Sequence, residues 1–249
     1  MSTVIYILWL RQLKRYFRSK SRIIGSLGQP LLFLLALGYG FGPIFEKAGQ
    51  GSYIQFLAPG IVAMSIIFTS LFSGIEIIWD KQFGFLKETL VAPVSRLSIM
   101  IGRTLGGATV GTMQGVIVLL ISFIVGFRPI SWILIIPAVL IMAIIALLFT
   151  ALGTAIASRL EDMQGFQLIM NFLVMPLFFL SGALFPLKQM PATLLFVAKM
   201  DPLSYGVDAL HYFLTGQGAL GIHYDFLVLV VVTGTLLFIG SYLFSKIEI

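Results

Sequence analysis

Residues 132–157 read WILIIPAVLIMAIIALLFTALGTAIA, with no charged side chain in the run. At 1.5 Å per residue a helix of this length exceeds the ~30 Å hydrocarbon core of a bilayer. In lipid every backbone polar group must be satisfied inside its own segment or in a closed barrel. Barrel strands are short, about 10 residues, and alternate in polarity. An unbroken apolar run of this kind therefore selects a membrane-spanning helix.

Five more runs flank it, at about 23–45, 55–79, 105–127, 166–187 and 226–244. The composition agrees: 59% of the 249 residues are hydrophobic and 10% are charged, against about 25% charged in soluble domains. Mean hydropathy is +1.03. The expected fold class is an all-α membrane protein with six transmembrane helices in one domain, 1–249. Arg128-Pro129-Ile130-Ser131 is a very short link, so the third and fourth helices are expected as a tight antiparallel pair.

Before the first run, residues 4–22 are amphipathic. Ile5, Trp9, Leu13 and Tyr16 repeat at helical spacing, and Arg11, Lys14, Arg15 and Arg18 repeat on another face. Such a helix is expected to lie in the membrane interface with its cations toward the headgroups. The apolar stretch behind it is long for a signal peptide and no A-x-A site closes it.

With both termini in the cytoplasm, twelve of the Lys and Arg residues fall inside and four outside, Lys47, Arg128, Lys188 and Lys199. This is the positive-inside bias, and it places residues 80–104 in the cytoplasm and 188–225 outside. The external segment carries Pro191, Pro202, Gly206, Gly216, Gly218 and Gly221, which rule out one straight spanning helix. Asp201-Pro202 is a helix start, Asp as N-cap and Pro at the first position. Two short helices are expected, about 192–199 and 202–214, on the outer surface or re-entrant.

The net charge of +6 sits between apolar spans, where it sets topology, so no nucleic acid partner is expected. No cysteine is present, which excludes disulfides and thiolate sites. There is no G-x-x-x-x-G-K-[ST] loop, no H-E-x-x-H and no G-x-S-x-G. No catalytic residue, metal site or bound cofactor is expected. Two rival classes are an ion-coupled secondary transporter and an intramembrane enzyme. The first needs ionisable groups near the midplane, and the clearest in-span carboxylate is Glu76, near one helix end, with Asp80 one turn on. The second needs Ser181 to reach His211 or His223.

The loop GFLKETLVAPVSR (84–96) followed by IGR (101–103), together with FFLSGALFPLKQMP (178–191) and DPLSYGVDALH (201–211), resembles ABC-2 type permeases. The nearest type is the drug-resistance and nodulation-factor exporter permeases. The resemblance covers the whole chain. It implies a half-transporter of the prokaryotic inner membrane. Two copies pair as a homodimer on two ATPase subunits, which bind ATP and Mg. It places a coupling helix at 84–92, with Gly84, Phe85, Leu86, Lys87, Glu88, Thr89, Leu90 and Pro93 facing the ATPase. It also implies a substrate path lined by the first, second and fifth helices. Asn171, Phe172, Met175, Phe178 and Phe179 are its candidates. The polar residues Asn171, Gln114 and Gln167 read equally as helix–helix hydrogen bonds. Where the family often has Arg at the end of the external motif, this chain has His211.

Overall fold

The computed structural model describes residues 2–47, 49, 51–85 and 94–245. They form α1 (Ser2–Arg18), α2 (Lys20–Lys47), α3 (Tyr53–Phe72), α4 (Ile75–Gln82), α5 (Arg96–Val125), α6 (Ile135–Arg159), α7 (Met163–Leu180), α8 (Ala192–Ala198), α9 (Pro202–Thr215) and α10 (Ile222–Ser245). Single 3-10 turns at Trp132–Leu134 and Leu187–Gln189 lead into α6 and α8, and no strand occurs among the described residues. Six helical stretches are long and apolar enough to cross a membrane: Ile23–Lys47, Tyr53–Gln82, Arg96–Val125, Trp132–Arg159, Met163–Leu180 and Ile222–Phe244.

α3 is the axis of the bundle. It packs on α2, α5, α6, α7 and α9, and Leu57, Ile61, Val62, Met64, Ile66 and Ile67 are all buried. A helix apolar all round belongs in such a place. The outer helices α2, α7 and α10 keep exposed apolar faces, among them Ile24, Leu32, Phe172 and Phe238. Small residues set the close contacts. A Cβ added at Gly106 of α5 would lie 2.6 Å from Gln12 of α1, and one at Gly107 would lie 2.6 Å from Ser73. Helices in lipid associate through such close backbone approach and local polar bonds, because the solvent is as apolar as their side chains.

Two span boundaries differ from the sequence expectation by more than four residues. The third span starts at Arg96, so residues 96–104, read above as cytoplasmic loop, are the first turns of α5. Ser95 caps it, accepting from the Ser98 N–H at 3.2 Å. Arg103 suits a helix interior here because Asp80 neutralises it within the protein. The fifth span ends at Leu180, not 187. The chain turns at Gly182, whose φ of +84° is a left-handed value that glycine adopts freely. Residues 181–184 are buried, and the Leu184 carbonyl accepts from the Tyr53 hydroxyl at 3.1 Å.

The two short helices of the 188–225 segment are α8 and α9. Asp201 caps α9, with Oδ1 accepting from the Leu203 N–H at 2.8 Å, and Pro202 is its first residue. α9 packs on α3, α6 and α10, so it lies inside the bundle and not on its surface. Burial pushes the Asp201 carboxyl from its ordinary 3.8 up to about 8. A folded-state pKa above the unfolded one adds stability that is whole below about pH 4 and fades as pH rises through about 8. Between about pH 5 and pH 9 the wild type is therefore expected to lose more melting temperature than Asp201→Asn, which keeps the cap without a charge. Parallel slopes in a pH series of thermal melts would refute this.

Candidate functional site, a charged node at one end of the bundle

α1 packs lengthwise on the first half of α5. The Trp9 indole N–H donates to Thr109 Oγ1 at 3.0 Å, and the Tyr16 hydroxyl donates to Gln114 Oε1 at 2.6 Å. The amphipathic helix thus buries one face against protein. Its cations turn toward α4, where Arg11 pairs with Asp80 at 3.2 Å and Arg15 with Glu76 at 3.6 Å. Asp80 also pairs with Arg103 of α5. Asp80 and Arg103 are 3% and 4% exposed, so one dry carboxylate holds three helices together. α4 is tied to α6 as well. The Lys81 ammonium donates to the carbonyls of Ser158 at 2.8 Å and Leu160 at 3.2 Å. The Gln82 amide donates to the Glu161 carbonyl at 3.0 Å.

These bonds anchor the end of α4 just where the chain leaves for segment 84–92. Gly84, at φ +78°, makes the turn, and Phe85 is half exposed. The other coupling candidates, Leu86, Lys87, Glu88, Thr89, Leu90 and Pro93, lie outside the described residues. Sequence reading singled out Glu76 and Asp80, and turned Arg11 and Arg15 toward the headgroups, but paired none of them with one another or with Arg103. The signal it had was an (i, i+4) pair of carboxylates on one helix face, beside a basic helix in need of countercharge.

The substrate-path candidates divide. Asn171, Phe172, Met175 and Phe179 lie exposed on one face of α7. Phe178 does not join them. It is 1% exposed and packs edge-on against Phe33 of α2, ring centroids 6.3 Å apart. Gln114 is a helix–helix hydrogen-bonding residue, through Tyr16.

Four of the polar groups that the sequence offered to the rival classes, Ser181, His211, Glu76 and Asp80, have partners within the bundle. The Ser181 hydroxyl donates to the Phe178 carbonyl at 2.8 Å. The His211 ring nitrogens face the carbonyls of Val207 at 2.9 Å and Phe56 at 2.8 Å, and the ring stacks on Phe56. Burial holds the His211 pKa below its ordinary value, so the neutral ring donates to one carbonyl at a time. It joins α9 to α3. Glu76 and Asp80 are both engaged by arginine. No cluster of three or more metal-binding side chains occurs among the described residues.

Six helices able to cross a membrane, two short helices between the last two of them and a charged node at one end define a multi-pass membrane protein. Residues 3–215 match the family model described as ABC-2 type transporter, and the chain belongs to that family. It is 26% identical over 197 residues to Nodulation protein J of Rhizobium leguminosarum bv. viciae, covering 78% of this chain and 75% of the relative. It is 29% identical over 250 residues to the putative transport permease ycf38 of Porphyra purpurea, covering 93% and 84%. The ycf38 permease of Pyropia yezoensis is 30% identical over 212 residues, covering 81% and 70%.

Proposed function

We propose that the chain is the membrane half of an ATP-driven exporter, working as a homodimer on two separate ATPase subunits. The end of the bundle that holds the charged node faces the cytoplasm, and segment 84–92 rests on the ATPase. ATP binding and hydrolysis take place in that partner, with its Mg. When the ATPase subunits close, the push on 84–92 passes to α4. The single observation that supports this is the anchoring of α4. Asp80 and Lys81 tie the last turns before the segment to α1, α5 and α6. A displacement there moves three helices at once.

The substrate passes between protomers, along the exposed face of α7 that carries Asn171, Phe172, Met175 and Phe179. A soft apolar wall suits a drug-like, lipid or lipid-linked glycan molecule. Relatives named as transport permeases support the transport reading.

Glu88→Arg tests the coupling. Reversing a charge at a buried interface costs about 2–5 kcal/mol and far less at a wet rim. The variant is expected to insert, dimerise and melt like wild type, because position 88 falls between the apolar runs of the sequence. ATP-driven efflux and co-purification of the ATPase subunit should both fall sharply. Normal efflux with normal co-purification would remove Glu88 from the coupling surface.

A further inference from the structure

A cleft of about 1020 Å³ opens beside the charged node, between α1, the start of α2 and α4. One wall carries Arg11, Lys14, Arg15, Arg18 and Lys20. The two carboxylates of α4 are already engaged. Asp80 serves both Arg11 and Arg103, and Glu76 serves Arg15. No ion pair reaches Lys14, Arg18 or Lys20 among the described residues. The opposite wall is apolar and largely aromatic: Trp79, Phe83 and Phe85, of which Phe83 is 60% exposed. Ile7 and Leu10, on α1 itself, add apolar surface beside the cations.

A cleft with surplus positive charge on one side and exposed aromatic surface on the other matches an amphiphile with an anionic head. Three cations that line one cleft, with no ion pair among the described residues, repel one another until an anion joins them. A phosphate supplies oxygens enough for Lys14, Arg18 and Lys20 together, and guanidinium and ammonium groups bind it through charge-assisted hydrogen bonds. A small free anion would leave the aromatic wall uncovered. A lipid's glycerol and upper acyl segments would cover it. The protein spans the bilayer, so anionic lipid is the phosphate source always at hand. We propose that this cleft is a binding site for the phosphate headgroup of an anionic membrane lipid, held by Lys14, Arg18 and Lys20 with its apolar part against Trp79 and Phe83. The lipid bridges α1 to α4 next to Asp80. The site needs no ATPase below it, so it stands or falls apart from the coupling of segment 84–92.

Each Lys or Arg close to anionic lipid is worth about a fivefold gain in binding, so three together give about a hundredfold. The test uses purified full-length chain in neutral detergent, titrated with phosphatidylglycerol or phosphatidylcholine and read by native mass spectrometry. Wild type is expected to retain phosphatidylglycerol preferentially. The variant Lys14→Gln/Arg18→Gln/Lys20→Gln is expected to lose that preference by about a hundredfold while melting at the wild-type temperature. A second variant, Arg128→Gln/Lys188→Gln at the opposite end, removes two positive charges against three and is expected to keep it. Three results would overturn the site. The first is an undiminished preference in the triple variant. The second is an equal loss in the opposite-end variant, which reduces the effect to net charge. The third is displacement of the lipid by inorganic phosphate at equal concentration, which assigns the cleft to a free anion. If the triple variant keeps its lipid but no longer co-purifies with the ATPase subunit, the cleft belongs to that protein and the lipid site is wrong.

Discussion

Asp80→Ala is expected to lower the stability of the folded chain by about 3–5 kcal/mol, the usual cost of removing one partner from a buried ion pair. Asp80 and Arg103 are both nearly inaccessible. Without the carboxylate, the Arg103 guanidinium stays in the bundle with only the field of Glu76 to offset its charge. Its Nε and Nη1 already lack a partner among the described residues, so Asp80 is its sole hydrogen-bonding countercharge there. Arg11 is far less affected, because its side chain is 42% exposed and water can replace the lost pair. The measurement is thermal unfolding in detergent, with the monodisperse fraction as a second readout. The double variant Asp80→Ala/Arg103→Met removes both charges and is expected to recover most of the loss, since the pair itself contributes little net stability over a well-packed apolar replacement. A double variant as unstable as Asp80→Ala alone would show that the stranded cation is not the cause.

The same pair marks how far the sequence could be read. The six spans were legible because lipid demands long apolar runs, and those runs are local. The start of α5 was not. Arg96 and Arg103 read as loop residues, because only a residue 23 positions upstream makes Arg103 tolerable inside a helix bundle. Nothing near it in sequence announces Asp80 as its partner. The end of α7 was overrun for the opposite reason. Ser181, Ala183 and Leu184 are buried, so the chain stays apolar after the helix has stopped. Asp201-Pro202 located α9 correctly because a cap and a first-position proline are local chemistry. Its burial among α3, α6 and α10 was hidden, being a property of the bundle.

The substrate-path candidates carry a different lesson. Phe172, Met175 and Phe179 recur at i, i+3 and i+7 and so share a face. Phe178 falls six residues after Phe172, on the other side of a 3.6-residue period, and it is buried where Phe172 is 81% exposed. Helical geometry alone separates them; grouping them by residue type did not. The cationic face of α1 was equally legible as a face, through the (i, i+4) spacing of Lys14 and Arg18. The aromatic wall across the cleft comes from α4 and needed the tertiary structure.

Gly153→Val is expected to abolish folded protein, and Gly153→Ala to reduce it strongly. Gly153 lies on α6 where that helix crosses the junction of α3 and α4. A Cβ there would be driven into the backbone carbonyl of Leu71 and would also stand 3.0 Å from its Cα. From the other side, a Cβ on Gly74 would meet the Gly153 carbonyl oxygen at 2.5 Å. Both obstacles are backbone, so no rotamer change relieves them and the helices themselves must separate. Overpacking of a core costs about 1–3 kcal/mol when side chains can adjust; here they cannot, and the expected cost lies at or above the top of that range. The contact also sits at the break between α3 and α4, directly above the charged node, so parting the helices would disturb Asp80 and Lys81 too. Gly234 of α10 is the control. A Cβ there meets nothing within 4 Å, and replacing a helical glycine by alanine gains about 0.5–1 kcal/mol where space allows. Gly234→Ala is therefore expected to match or exceed wild type in melting temperature, while Gly153→Ala falls below it. Equal melting temperatures for the two alanine variants would mean that α6 does not touch the α3–α4 junction backbone to backbone.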